Sequence, residues 1–353
     1  MAGILILFLF SNSILLQSSY FSSINTNPFA NMLSIDFKRS QERLDIQSSF
    51  DRSTMPAVRV IDGKEVYLML PPENTNINGI ALLFHGCNRN GIDWMNLPED
   101  RQIVNHLTSE KRGLVAIALN SDERKHSRCW SNDQSASSNI DISNVKKIVS
   151  TLVIELFGLE TKMEDVSIYA IGASSGGWFI QILMQALPLN GMVSIISPGW
   201  IQMLEQKSII PRIAFIYMER DRMCQENVKE AVALIQARHF FATSFECTSK
   251  NVTQEWLYPH LSHLLSPLQV SMIIQTLVDE PYSLLDKQTG QILRNPRTNW
   301  KSIQSLDAFQ TLSSSKNTND LILASIEELL NLAYAQHEIT SDYIDEAMDF
   351  ILK

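Results

Sequence analysis

Gly172-Ala173-Ser174-Ser175-Gly176 is the stretch of this chain whose residue types and spacing point most directly to chemistry. It fits G-x-S-x-G, follows the apolar run Val166 to Ile171, and leads into Trp178, Phe179, Ile180, Ile182, Leu183 and Ala186, which read as a buried helix. A strand, a sharp turn and a helix around this motif hold the central serine hydroxyl out from the end of a sheet. The turn strains the backbone of that serine, and the flanking glycines remove Cβ atoms that would clash. Without this context the motif is a glycine-rich turn with an incidental serine.

A serine nucleophile needs a base to take its proton, a carboxylate to orient the base, and N–H donors for the oxyanion. With this kind of turn the chain order is Ser, then Asp or Glu, then His. The run Ile213 to Tyr217 ends in Met218-Glu219-Arg220-Asp221. Asp221, a few residues beyond the run and just before a helix, is the preferred acid, with Glu219 as its rival. The reading without function is a solvated carboxylate paired with Arg220 or Arg222. For the base, His260 and His263 lie shortly after the last strand-like run, and His337 lies directly before the last helix. His337-Glu-Ile-Thr-Ser341 reads as the loop leading into that helix, so His337 is preferred and the other two stay as alternatives. Two backbone donors are required, each worth roughly 10²–10³ in rate. Ser175 N–H at the helix start is one, and Cys87 N–H in His85-Gly86-Cys87 is the other. His85 precedes the serine and is read as a structural histidine.

The elements that must position these groups follow from the pattern of the chain. Val58–Ile61 and Val66–Leu70 flank Asp62-Gly63, a hairpin signal. Ile80–Phe84, Leu114–Leu119, Val166–Ile171, Met192–Ile196, Ile213–Tyr217 and Ala242–Cys247 read as strands. Helices are predicted near Asp100–Ser109, Asp141–Phe157 and Glu226–Ala237. Strands separated by such helices imply right-handed crossovers and a mainly parallel sheet, an α/β architecture with helices on both faces. Residues 264–335 break the rhythm and read as a helical insertion, with pieces at Leu268–Leu277 and Leu321–Tyr334. Tyr343–Leu352 closes the chain as an amphipathic helix capped by Thr340-Ser341. No internal repeat is found.

At 353 residues, 45% hydrophobic and 19% charged, the chain describes a globular protein with a substantial core. Its net charge of -9 argues against nucleic acid and anionic membrane surfaces as partners. Met1 to Ile35 carries no charged side chain, and the apolar run Ile4–Phe10, extended by Ile14-Leu15-Leu16 past Ser11-Asn12-Ser13, is too short and interrupted to span a bilayer. Residues 1–19 resemble a secretory signal with small residues at Ser18 and Ser19, although no Lys or Arg precedes the run. Secretion is therefore expected; an uncleaved anchor or an organellar transit segment is the alternative. Residues 20–54 read as a linker or arm ahead of a domain at 55–353. Asn251-Val252-Thr253 is a glycosylation acceptor. No Cys-x-x-Cys pair occurs, and no metal or cofactor is implied. Four cysteines permit two disulfides. Neighbouring strand ends suggest Cys224–Cys247, with Cys87–Cys129 as its companion; four buried free thiols are the other reading.

His85-Gly86-Cys87, Cys129-Trp130, Gly172 to Gly177, Met218 to Asp221 and Asn331 to Ser341 together resemble the α/β-hydrolase superfamily, over roughly residues 78–353. More narrowly they resemble a little-characterised eukaryotic family of such proteins, known best from plants. The His-Gly-Cys and Cys-Trp elements are also similar to those of polyhydroxybutyrate depolymerases and feruloyl esterases. The resemblance implies an α/β-hydrolase fold, a serine site and a carboxyl-ester or other small ester-bearing substrate, and it adds weight to His337. The alternative is a catalytically silent protein of the same fold that serves binding or adhesion.

Overall fold

A computed structural model of the protein describes residues 56–279, 283–310 and 312–353. The signal-like segment and the arm before the first strand lie outside these residues. The chain divides into two compact units, and the sheet and site belong to the one spanning Asp51–Val153 and Thr161–Lys353. Of the other unit, only Ile154–Glu160 is among the described residues, the end of one helix and the start of the following turn.

Eight strands form one sheet: β1 (Ala57–Ile61), β2 (Lys64–Met69), β3 (Gly79–Phe84), β4 (Leu114–Leu119), β5 (Ile168–Ala173), β6 (Gly191–Ile195), β7 (Arg212–Met218) and β8 (Ala242–Cys247). Their order is β1-β2-β4-β3-β5-β6-β7-β8. The β1–β2 hairpin turns at Asp62-Gly63, both in the left-handed region (φ 49° and 74°), as a two-residue turn of matching twist requires. β2 is antiparallel to both its neighbours, and every other pairing is parallel. β3, β4, β5 and β6 are buried along their whole length. That explains why they read as unbroken apolar runs rather than alternating ones.

The helices are α1 (Asp93–Asn96), α2 (Pro98–Thr108), α3 (Ile140–Phe157), α4 (Ser175–Leu183), α5 (Ile201–Gln206), α6 (Arg222–Ala237), α7 (Gln254–Leu261), α8 (Pro267–Val278), α9 (Pro296–Gln304), α10 (Asp307–Gln310), α11 (Lys316–Tyr334) and α12 (Ile344–Ile351). Residues 264–335 hold α8 to α11, together with an antiparallel bridge between Leu285 and Ile292. A mainly parallel eight-stranded sheet in this order, with its second strand reversed and a strand–turn–helix at Ser174, is the α/β-hydrolase fold.

Several local expectations need correction. α6 begins four residues early, at Arg222, because the Asp221 carboxylate caps it by accepting the Cys224 N–H at 3.3 Å. α7 went unpredicted because it is short and carries Pro259. Thr340 and Ser341 do not cap α12. Its N-cap is Tyr343, with φ 44° and no side-chain cap, while the Ser341 N–H and hydroxyl both donate to Glu99 Oε2, at 2.6 and 2.8 Å. Cys87 and Cys129 form a disulfide, but Cys224 and Cys247 are free and buried, so the expected Cys224–Cys247 bond is absent. Cys224 sits in the first turn of α6 with its N–H on Asp221, whereas the Cys247 thiol meets Thr340. Burial pushes each thiol up to about 12, so both behave as small apolar groups.

Candidate active site

β5 ends at Ala173 and α4 begins at Ser175, which leaves Ser174 alone in the turn with φ 51° and ψ −113°. Its N–H donates to Ile195 O on β6 at 2.9 Å, which fixes the turn to the neighbouring strand. The glycines answer to crowding. A Cβ on Gly172 would lie 2.3 Å from Gly176 O, and one on Gly176 would lie 2.2 Å from Phe84 O. Only glycine lets α4 pack this closely over the ends of β3 and β5.

Ser174 Oγ lies 3.0 Å from His337 Nε2, and His337 Nδ1 lies 2.6 Å from Asp221 Oδ2. The second Asp221 oxygen accepts the Cys224 N–H. Burial raises the Asp221 carboxyl, but its hydrogen bond and attraction to His337 outweigh that and hold it below the usual carboxylate range. The carboxylate is thus charged, as an imidazole-orienting acid must be.

The distance in sequence between these groups is closed by backbone contacts. α11 ends at Ala335, a left-handed C-cap with φ 56°, and His337 itself has φ 47°. Arg220 N–H donates to Ala335 O at 3.1 Å, and its guanidinium lies 4.2 Å from the Tyr334 ring centre. The loop bearing Asp221 and the loop bearing His337 are thereby tied together.

The rival residues are engaged elsewhere. His260 Nδ1 faces Trp256 O at 2.7 Å and its Nε2 faces Glu99 Oε1 at 3.3 Å. His263 is exposed, with Arg101 as its charged neighbour. Glu219 Oε1 accepts the Ser249 N–H at 3.0 Å and lies 3.9 Å from Arg220 Nε. None of the three meets the serine.

The turn His85-Gly86-Cys87 passes close to the serine: a Cβ on Gly86 would lie 3.4 Å from Ser174 Cβ. Cys87 is pinned by its disulfide to Cys129. His85 Nδ1 donates to Gly86 O at 2.7 Å, and its Nε2 accepts the Ser121 N–H at 3.3 Å. Burial lowers this imidazole to about 4, so it is neutral and structural. Ser175 opens α4, so its N–H is one of those a helix leaves without an internal partner.

A cleft of about 700 Å³ opens here, lined by Cys87, Cys129, Trp130, Ile140, Ser175 and Trp178 among others. Trp130 donates from Nε1 to His85 O at 2.9 Å and stacks on Phe179, so it braces the cleft from the core. Trp178 reaches the cleft, with buried Trp200 at 4.8 Å behind it. The three carboxylates of the wall are occupied. Asp122 pairs with Lys64, Asp141 accepts the Asp122 and Ser131 N–H groups, and Glu123 is held down to about 2 by the N–H groups of His126, Arg128 and Lys125. Among the described residues, no three or more His, Cys, Asp or Glu side chains are grouped to hold a metal ion. No helix of the described residues is long and apolar enough to cross a membrane.

Sequence reading missed the surroundings of Glu338, the residue after His337. Glu338 Oε2 accepts from Arg297 Nη2 at 3.0 Å and from Asn331 Nδ2 at 3.2 Å, and its Oε1 lies 3.7 Å from Arg89. Only the adjacency of Glu338 to the histidine hinted at this, since both arginines come from remote segments. It also missed a buried acid pair between α2 and α11. Asp100 Oδ2 and both Glu328 oxygens are buried without a donor, and burial raises both carboxyls, so a proton kept on one can donate to the other.

Strand order and the Ser174 turn define the class of this molecule: an α/β-hydrolase fold presenting a serine, a histidine and an aspartate in hydrogen-bonded line. Neither a family model nor a curated protein matches the chain. Among solved structures, it is similar to a thermostable esterase at 18% identity, over 55% of this chain and 54% of that one, with a TM-score of 0.41. The chain thus spans about half the length of that esterase. It is also similar to the fluorophosphonate-binding serine hydrolase F of Staphylococcus aureus (15% identity, 62% of this chain and 98% of that one, TM-score 0.37). A third is an acetyl xylan esterase from Aspergillus awamori (14% identity, 51% and 80%, TM-score 0.38).

Proposed function

We propose that this protein is a serine hydrolase that cleaves carboxyl esters through an acyl-enzyme on Ser174. The observation that carries the reading is the line Ser174 Oγ–His337 Nε2–Asp221, at 3.0 and 2.6 Å. His337 takes the Ser174 proton as Oγ attacks the ester carbonyl, and Asp221 holds the imidazole in the tautomer that leaves Nε2 free. The Cys87 and Ser175 N–H groups donate to the oxyanion. The protonated His337 then gives its proton to the departing alkoxide, and a water activated by the same histidine releases the acid. The cleft beside Cys87 and Ser175 receives the ester, and no cofactor enters any step.

We further propose that the chain follows the secretory route by residues 1–19, as the Cys87–Cys129 disulfide suits an oxidising compartment and Asn251 is exposed. Within the superfamily, we place it near the little-characterised eukaryotic group that its closing Asn331–Ser341 stretch resembles.

A fluorophosphonate probe tests the function without a guess at the substrate. The folded protein labels at Ser174 and hydrolyses short aryl esters, and Ser174→Ala does neither. Folded protein that fails to label would support the silent binding reading instead.

A further inference from the structure

His337 occupies the left-handed region, φ 47°, which a non-glycine residue keeps only when its surroundings hold it there. The hold comes from both sides of the residue. Arg297 Nη2, on α9, donates to His337 O at 2.6 Å and to Glu338 Oε2 at 3.0 Å, so one guanidinium grips two consecutive residues. Glu338 is nearly buried, and Asn331 of α11 also donates to it. The opposite oxygen of Glu338 faces the Arg89 guanidinium at 3.7 Å. Arg89 belongs to the loop that follows β3, and its own N–H donates to Gly86 O at 3.3 Å. That carbonyl also takes the proton of His85 Nδ1. A carboxylate next to the base therefore meets a cation whose backbone braces the Gly86-Cys87 turn.

We propose that Glu338 is a positioning residue that locks the loop carrying the catalytic histidine to the turn carrying the Cys87 oxyanion donor, through Arg297 on one side and Arg89 on the other. This inference rests on the serine hydrolase reading. A base and an oxyanion donor arrive on separate loops, and their relative placement sets the attack geometry. A displacement of about 1 Å at such a site costs on the order of 10²-fold in rate. Burial disfavours the charge on Arg89, but nearby acidic groups, Glu338 foremost, more than offset it, so the cation stays charged in its place.

The test is the time course of fluorophosphonate labelling on the full chain, read as a rate constant and as a final labelled fraction. The rate constant reports geometry at Ser174, while the final fraction reports how much protein is folded. Expected for Glu338→Gln is a rate constant lower by about ten- to a hundredfold with an unchanged final fraction. Arg297→Gln, on a partly exposed side chain, is expected to lose about fivefold or more. Arg297→Lys recovers part of that, and the double variant falls little below Glu338→Gln alone. Should Glu338→Gln not fold, Arg297→Gln carries the same test. Rate constants within about twofold of the parent in the folded variants, or a lower final fraction at the parent rate, would overturn the inference and leave the hydrolase reading intact. A folded parent that does not label overturns both.

Discussion

Three histidine–carboxylate pairs occur among the described residues; His106–Asp345 is exposed, and of the other two only one faces a hydroxyl. His337 uses Nδ1 on Asp221 and keeps Nε2 for Ser174. His260 spends both nitrogens, Nδ1 on Trp256 O and Nε2 on Glu99, whose other oxygen holds Ser341. Burial disfavours a charged His260, yet Glu99 outweighs that and raises its pKa; Glu99 is correspondingly lowered by His260 and Ser341 against the effect of its own burial. The His260 pair is closed on itself under the loop, and the His337 pair leaves one ring nitrogen on the serine hydroxyl. A base is thus distinguished by a free nitrogen aimed at a proton it can take, not by having a carboxylate partner.

The comparison breaks most sharply at the two histidines. His337→Ala is expected to lower kcat by about 10⁴–10⁶-fold, close to the loss in Ser174→Ala, because members of one catalytic unit are not additive. His260→Ala is expected to stay within about tenfold in kcat while stability falls by about 1–2 kcal/mol, since Glu99 loses a buried partner. Steady-state ester hydrolysis beside chemical denaturation measures both. A His260→Ala variant as inactive as His337→Ala would erase the distinction.

The carboxylates sharpen it next. Asp221→Asn keeps the shape but favours the wrong tautomer of His337, and about a 10⁴-fold loss of kcat is expected. Glu99→Gln leaves the tautomer of His337 untouched, so its kcat is expected within about tenfold of the parent. Equal losses in the two variants would refute the assignment of Asp221 as the orienting acid.

The smallest effect concerns a buried carboxyl without a histidine. Burial pushes Asp100 up to about 7 and holds its neighbour Glu328 well above the carboxylate range. Folding therefore takes up a proton that the unfolded chain does not hold, and the stability this gives is lost as pH rises from the ordinary carboxylate range through about 7. Thermal scans at pH 5 and pH 7 are expected to show Tm falling by about 2–4 °C per unit. Glu328→Gln, which supplies a donor at any pH, is expected to flatten that slope. An unchanged slope would show that the two carboxyls do not share a proton.

Much of the site was legible in sequence because each part carried a local mark. Apolar runs marked the strands, glycine spacing marked the Ser174 turn, and Asp221 marked itself as a residue between a strand and a helix. The capping of α12 was misread because Ser341 looks like a cap in sequence, whereas Glu99 of α2 takes both of its donors. Cys224–Cys247 was misread for the same reason: adjacency of strand ends does not report which neighbour a side chain has been given.

By itself the sequence determined most of the strands and helices, the strained serine turn, and a short set of acids and histidines that follow it, since these depend on periodicity, backbone sterics and chain order. Whether His337 or His260 meets the serine was decided only by the tertiary structure. Both are histidines near a carboxylate, and the choice turns on where α11 ends, on the left-handed Ala335 and His337, and on Arg220, Arg297 and Arg89 arriving from distant segments. Such contacts leave no period and no motif, because a guanidinium can reach its carboxylate from any element that packs within a side chain's length.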